Sequence, residues 1–298
     1  RHEGKMISFL KGYVKNGAEA VNDNIIRKDA DKEGIQSDLN HSVRLYQATA
    51  KGYGITVIPG AEITREPTVI GHYNALFTTD NNTIYDTDPA QSMRNARAQG
   101  AIIMQNHPGW RRTDLSMLEF ETKVYGEGLI DGIEIMNGSE FYPKAIDRAK
   151  EYGYFMSSNT DAHDATSGNY SLNGTFRNMT LIMAKDKSLE SLKEALLARR
   201  TLAYSYGSIA GEEQLLKDFF AAAVSIRVLS TDKKGTRQVA ITNNTSFPYL
   251  IKFGGNPTLL HPFSTLKTGV GKGKDIKFTV MNMWCSSEGH PQIVLKVK

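Results

Sequence analysis

What most constrains this chain is an alternation that runs through its first two thirds and then stops. Short apolar runs, rich in β-branched residues and often bounded by glycine, take turns with stretches of helical composition. GITVIPGAEI (54–63) and HYNALFTT (72–79) read as strands. DPAQSMRNARAQG (88–100) reads as a helix, with Asp88 as N-cap, Pro89 at the first position and Gly100 at the stop. AIIMQNH (101–107) is the next strand, and TDLSMLEFETKVYGEG (113–128) the next helix, capped by Thr113 or Asp114. IDGIEIMN (130–137), YPKAIDRAKEYG (142–153) and YFMSSN (154–159) repeat the cycle. NMTLIMAK (178–185) and SLESLKEALLARR (188–200), with Ser188 and Ser191 as caps, close it. A strand and a helix every 25–30 residues or so predicts parallel strands joined by crossover helices. Periodicity alone fits an open doubly wound sheet and a closed barrel equally well.

Past a helical connector, GEEQLLKDFFAAA (211–223), the texture changes. VSIRVLS, RQVAITN, FPYLIKFGG, KDIKFTVMN and QIVLKVK are short alternating strands separated by turn clusters such as TDKKG, GGNP and GKGKD. This pattern predicts a small antiparallel β-sandwich. The chain therefore divides into an α/β region at 1–208 and a connector with a β domain at 209–298.

Composition narrows the function classes. Hydrophobic residues make up 40% and charged residues 23% of the 298, as in ordinary globular proteins. A net charge of +4, with scattered basic residues, points away from a dedicated nucleic-acid binder. No apolar run reaches the roughly 18 residues that span a bilayer. The one cysteine, Cys285, excludes an internal disulfide and a cysteine-rich zinc site. The opening RHEGKMISF has no initiator Met and no apolar signal core, so it reads as the middle of a longer protein whose upstream part is expected to exist. The lack of cysteine pairs and the appended β domain lean towards a bacterial periplasmic or secreted protein.

Metal-capable side chains gather where the α/β strands end. GITVIPGAEITR carries Glu62 and GHYNAL opens with His72; AIIMQNHPGW ends in Asn106 and His107, and YFMSSNTDAHD in Asp161 and His163. The carboxyl ends of parallel strands lie on one side of a sheet or barrel, so residues distant in sequence meet there. Glu62, His72, His107, Asp161 and His163 offer nitrogen and oxygen donors without sulfur, a mixture that suits Zn, Mn or Fe. Two such ions about 3.5–4 Å apart suit phosphoester hydrolysis by an activated water. Glu134, in GIEIMN, reads equally as a metal contact and as a residue holding a neighbouring loop, and Asn137 as a residue orienting ligands or substrate or as a turn asparagine bonding its own backbone. His41 reads as a helix-surface residue, and His261 and His290 lie in the β domain without carboxylates near them in sequence.

These residues carry a family likeness. GAEIT, GHYNAL, QNHPGW, GIEIMNG and SNTDAHD, in that order, resemble the PHP (polymerase and histidinol phosphatase) superfamily of metal-dependent phosphoesterases. RNMTLIMAKDKSLESLKEALLARRTLAY resembles that family's closing strand and helix, so the likeness spans roughly 1–208. It implies a distorted (β/α)7 barrel holding two or three divalent ions. Glu62 matches the bridging carboxylate of a G-x-E strand end, His72 the histidine that follows it and His107 the H-P histidine. Asp161 and His163 match the final D-x-H pair. The family's initial H-x-H strand and T-D-H or T-E-H strand end have no counterpart here, and Arg1 and His2 fall where the loop after them would lie.

The expected activity is metal-dependent hydrolysis of a small phosphorylated substrate, a mono- or diester. Arg111 and Arg112, directly after HPGW, and Asn106, directly before it, are the catalytic candidates, the arginines as cations for developing phosphoryl charge with Arg65 and Arg177 behind them, and Asn106 as a residue that orients ligands or substrate. The alternative is a catalytically degenerate barrel acting as a binding or scaffold protein. Its β domain would then take carbohydrate or a partner through Phe247, Tyr249, Phe263 and Trp284, which otherwise read as sandwich core. A polymerase-associated nuclease domain fits less well, since no basic stripe with interleaved aromatics is visible.

Overall fold

The computed structural model describes residues 26–28, 35–65, 70–112, 114–163 and 176–297. Arg1, His2 and Thr113 lie outside the described residues, as does the side chain of Arg65. The chain divides into two compact units that do not follow chain order. One takes Arg1–Met104, Met117–Ile130 and Asp186–Glu190; the other takes Gln105–Ser116, Asp131–Lys185 and Ser191–Lys298.

The first unit holds a short antiparallel pair, β1 (Ile26–Lys28) and β2 (Ile35–Ser37), then α1 (His41–Ala50), β3 (Gly60–Arg65), β4 (Gly71–Leu76), α2 (Pro89–Ala98) and α3 (Glu119–Gly126). β3 and β4 are antiparallel, which corrects the expectation of parallel strands at this point. Their registered faces alternate as a half-buried sheet should: Ile63, Tyr73 and Ala75 are buried, with Tyr73 edge-on to Phe120 at 6.0 Å. α2 begins as its sequence predicts, with the Asp88 carboxylate accepting from Ala90 N–H and Pro89 in the first turn. Ala90, Met93 and Ala96 form its buried stripe. α3 starts later than 113–128 predicts. The Glu121 carboxylate accepts from Leu118 N–H, 3.0 Å, at the true start, while Asp114 accepts from Ser116 in a turn of its own.

The second unit follows on from β5 (Ile102–Gln105), which ends where the two units divide. β6 (Gly132–Asn137), β7 (Glu140–Phe141), α4 (Pro143–Tyr152) and β8 (Phe155–Asn159) make a βαβ unit in which β6 and β8 are parallel and β7 turns back on β6. β6 is buried through Met136, the pattern of a strand covered on both faces. After β9 (Met179–Ile182) and α5 (Leu189–Leu197), a hairpin of β10 (Thr201–Ser205) and β11 (Ser208–Gly211) pairs with β9 in a separate sheet, in the order β9, β10, β11.

β18 (Met283–Trp284) joins that sheet in parallel beside β11, and Lys150 of α4 donates to the Cys285 carbonyl. α6 (Glu213–Ala223) follows β11. Two antiparallel sheets come next: β12 (Val224–Thr231), β13 (Arg237–Asn243) and β16 (Thr265–Val270), then β15 (Thr258–Leu260), β14 (Tyr249–Lys252), β17 (Ile276–Val280) and β19 (Gln292–Leu295). Leu216 and Phe220 of α6 share one buried cluster with Tyr204, Val239, Ile241, Tyr249, Ile251 and Phe278. The predicted connector is thus core: Phe220 packs edge-on to Tyr249 and Phe278 at 4.9 and 5.6 Å. Of the aromatics singled out in this region, Tyr249 is buried, Phe247 packs on the cluster beside Tyr204, and Phe263 is exposed. Trp284 lies between Phe141 and His290.

Candidate metal centre

Each compact unit carries its own group of imidazoles and carboxylates. In the first, the β3–β4 register sets Glu62 opposite Asn74 and Thr64 opposite His72, so Glu62 and His72 are diagonal neighbours on one face. His72 Nδ1 lies 3.3 Å from Glu62 Oε1, with the imidazole side chain 12% exposed and the carboxylate 36%. The pairing comes from the hairpin and not, as the strand-end argument holds, from carboxyl ends collected by parallel strands. Glu62 sits in the middle of its strand.

In the second unit, the chain leaves β5 at Asn106 and His107, both buried. His107 has φ +24, outside the regions a residue before proline normally occupies. Its N–H donates to Glu134 Oε2, and its carbonyl accepts from Trp110 N–H at 2.9 Å. Gly109 lets this turn pass beneath Tyr142, whose ring would lie 2.5 Å from any Cβ there. The Trp110 ring stands 5.4 Å from the imidazole.

Glu134 anchors the arrangement. The parallel register brings Asn137 beside Asn159 at the strand ends. Both amides donate into the Glu134 carboxylate, at 3.1 and 2.8 Å. Burial pushes the Glu134 pKa up to about 7, the three hydrogen bonds restrain it, and the nearby Asp161 charge adds to the rise.

Beyond β8, Asp161 also adopts positive φ, +49. Its Oδ2 lies 3.8 Å from His107 Nε2. His163 Nδ1 donates to the Asp161 carbonyl at 2.9 Å, which leaves Nε2 as the nitrogen with an available lone pair. The His163 side chain is 82% exposed. The second unit thus brings His107 and Asp161 face to face, with His163 alongside and turned outward.

The catalytic candidates have varied settings. Arg111 stacks its guanidinium over Trp110 at 4.3 Å. Arg112 donates to the carbonyls of Pro108, at 3.1 Å, and Ser116, bracing its own loop. Asn106 is buried one residue before His107, and Arg177 is exposed before β9. His290 donates to the Met283 carbonyl at 2.8 Å within the β region, His261 is exposed, and His41 opens α1. Sequence reasoning left Asn159 out and gave Glu134 no preferred role. The signal was the polar end of two buried runs, IEIMN and FMSSN, which parallel pairing places side by side.

The donors suit a divalent ion. Metal–nitrogen and metal–oxygen bonds of about 2.0–2.2 Å put two ligands of one tetrahedral ion roughly 3.4 Å apart. The spacings of 3.3 Å in the Glu62–His72 pair and 3.8 Å in the His107–Asp161 pair lie near that value.

A search of solved structures finds a two-domain protein from Bacteroides vulgatus, described as containing a predicted PHP-like metal-dependent phosphoesterase. It is 28% identical over 93% of this chain and 82% of that one, with a TM-score of 0.82. The two share a mixed α/β, two-domain fold. No family model and no curated protein matches the chain.

Proposed function

We propose that this protein is a metal-dependent phosphoesterase, a hydrolase of the PHP type. The observation that carries the reading is the clasp between His107 and Asp161. Two non-glycine residues in left-handed backbone face each other at 3.8 Å, one of them tied down by a buried carboxylate. Strained backbone of this kind persists where surrounding structure over-determines it, and it clusters at functional sites. Glu62 and His72 add a donor pair of metal-binding type in the first unit. The likeness to the Bacteroides protein supports a metal-dependent hydrolase in general terms, and a (β/α)7-type barrel is the framework we assign to the α/β region.

In this reading Glu62, His72, His107, Asp161 and His163 hold two or three divalent ions (Zn, Mn or Fe). Such ions, when bound, supply an acidified water and neutralise charge on the phosphoryl oxygens. Glu134 fixes the His107 backbone and, through Asn137 and Asn159, the ends of β6 and β8. Arg111, presented on Trp110, is the cation we assign to the departing or transferring oxygens. Arg112 acts on the loop that carries Arg111. The substrate is a small phosphorylated molecule, and the β domain is read as a sandwich that supports or covers the site.

Metal stoichiometry tests this directly. Protein reconstituted with Mn²⁺ or Zn²⁺ and desalted should retain at least one ion per chain, and His107→Ala and Glu62→Gln should each lower that number. Equal metal content in all three proteins contradicts the assignment.

A further inference from the structure

Charge is unevenly divided along this chain. Residues 224–298 hold eleven lysines and arginines against three aspartates and glutamates, a net +8, whereas residues 1–223 come to −4. The modest overall charge conceals a strongly basic β region.

Chain direction sorts those charges to one end. Loops 244–248, 261–264 and 281–291 close one end of the two antiparallel sheets. That end meets the rest of the second unit: Asn244 N–H donates to the Ala223 carbonyl at 2.9 Å, Asn282 Nδ2 to the Gly207 carbonyl at 2.6 Å and Ser287 N–H to Asp147 Oδ1 at 3.0 Å. The opposite end is formed by 232–236, 253–257, 271–275 and the chain past β19, and Lys233, Lys234, Lys272 and Lys274 stand exposed there. The segments are tied to one another. Lys272 lies across Gly235, where a Cβ would come within 2.9 Å of its side chain, and Arg237 donates to the carbonyls of Lys274 and Val297. These loops carry two carboxylates, both already accepting backbone N–H groups. Asp232 takes those of Lys234 and Thr236 at 2.8 and 2.9 Å, and Asp275 that of Val297 at 3.2 Å.

The charge continues onto the outer face of the sheet that contains β17. Ile276, Phe278, Ile293 and Leu295 are buried in the shared cluster, so Lys277 and Val294, paired across the two strands, face outward. Lys252 pairs with Thr279, two residues on from Lys277, and is thus the diagonal neighbour of Lys277; Lys296, two residues past Val294, extends the row. Apolar side chains stand among these lysines: Val294 is 50% exposed, Leu259 44% and Phe253 41%.

We propose that this end and face of the β region dock on the surface of an anionic phospholipid bilayer. Lysine stems carry their ammonium groups to the headgroup phosphates, while Val294, Leu259 and Phe253 bury surface at the headgroup boundary. A nucleic acid matches the same side chains less well. Nine of the eleven cations are lysines, point charges without a guanidinium fork, and Arg237 uses its fork on backbone carbonyls. Two of the three exposed apolar groups are aliphatic and offer no ring for a base to stack on. The inference stands apart from the phosphoesterase reading.

Flotation of the full chain with lipid vesicles tests this. The protein should float with vesicles of equimolar phosphatidylcholine and phosphatidylserine, stay behind with phosphatidylcholine alone, and be released by high salt. Replacing Lys233, Lys234, Lys272 and Lys274 together by Gln should weaken binding more than about 100-fold, at roughly 5-fold per lysine. Lys252→Gln with Lys277→Gln, on the sheet face, should weaken it by about 25-fold and serves should the loop variant fail to fold. Val294→Ser with Leu259→Ser should weaken vesicle binding several-fold and leave any binding to a single-stranded oligonucleotide unchanged. Equal flotation with both kinds of vesicle, or full binding by the folded lysine variants, would overturn the proposal. So would oligonucleotide binding at least as tight as vesicle binding, with Val294→Ser and Leu259→Ser affecting neither; that result would give the surface to nucleic acid.

Discussion

His107 shows at the scale of one residue how this site is built. Its backbone sits at φ +24 ahead of a proline, a conformation that costs on the order of 1–3 kcal/mol, and Glu134 answers that cost by accepting its N–H in a buried setting. Glu134 accepts from three donors, and a carboxylate is the only common side chain that can take all three without offering one of its own. Glu134→Gln turns an NH₂ towards at least one of them. It should weaken metal binding about 10- to 100-fold by titration calorimetry, and Glu134→Asp should recover part of the loss. Unchanged affinity in the glutamine variant would show that Glu134 does not position a ligand. The same carboxyl predicts a pH effect in the metal-free protein. Its pKa is about 7 in the fold against an ordinary 4.5, so between those values the folded chain holds a proton that the unfolded chain releases. That contribution to stability is full below about pH 4.5 and is lost as pH rises through 7. Urea midpoints across this range should show the decline in the wild type, and Glu134→Gln should lack that component.

At the scale of elements, two devices bring donors together, and they were unequally legible. Parallel pairing of β6 and β8 was foreseeable from the strand–helix–strand pattern, and it does align Asn137 with Asn159. The β3–β4 hairpin was not. Both segments read as strands, but period-2 patterning carries no information on direction, and residues 55–59 look like strand although β3 begins only at Gly60. Glu62 and His72 are neighbours because of the hairpin, and not for the strand-end reason that drew attention to each of them. The helix start at Glu119 was hidden because Asp114 makes a turn of the kind that also caps helices. The β10–β11 hairpin was missed because TLAYSYGSIAG alternates too briefly to stand out. Gly132 tests how tightly the parallel pair is packed: a Cβ there would lie 2.2 Å from the Phe155 ring. Gly132→Ala should destabilise the protein by about 1–3 kcal/mol in urea unfolding and, two residues from Glu134, reduce metal retention as well. A neutral result would mean that β6 and β8 have slack the register does not suggest.

For the whole molecule, the appended strands are tied to the α/β region by more than chain connectivity. β18 pairs with β11, and α6 buries Leu216 and Phe220 in the cluster that the two antiparallel sheets share. Phe220→Ala should cost about 3–5 kcal/mol, measured by chemical denaturation, whereas a substitution at the exposed Phe263 should change little. Equal effects at the two positions would deny α6 its place in the core. No helix among the described residues is long and apolar enough to cross a membrane. The most direct test of the central claim is one measurement on two proteins: hydrolysis of 4-nitrophenyl phosphate, with metal content determined on the same samples, for the Mn²⁺-reconstituted wild type and Asp161→Ala. The account predicts metal-dependent release of nitrophenol by the wild type, and a fall of at least 100-fold with reduced metal content in the variant. Absence of hydrolysis by metal-loaded wild type, with metal content unaltered by Asp161→Ala, would contradict it.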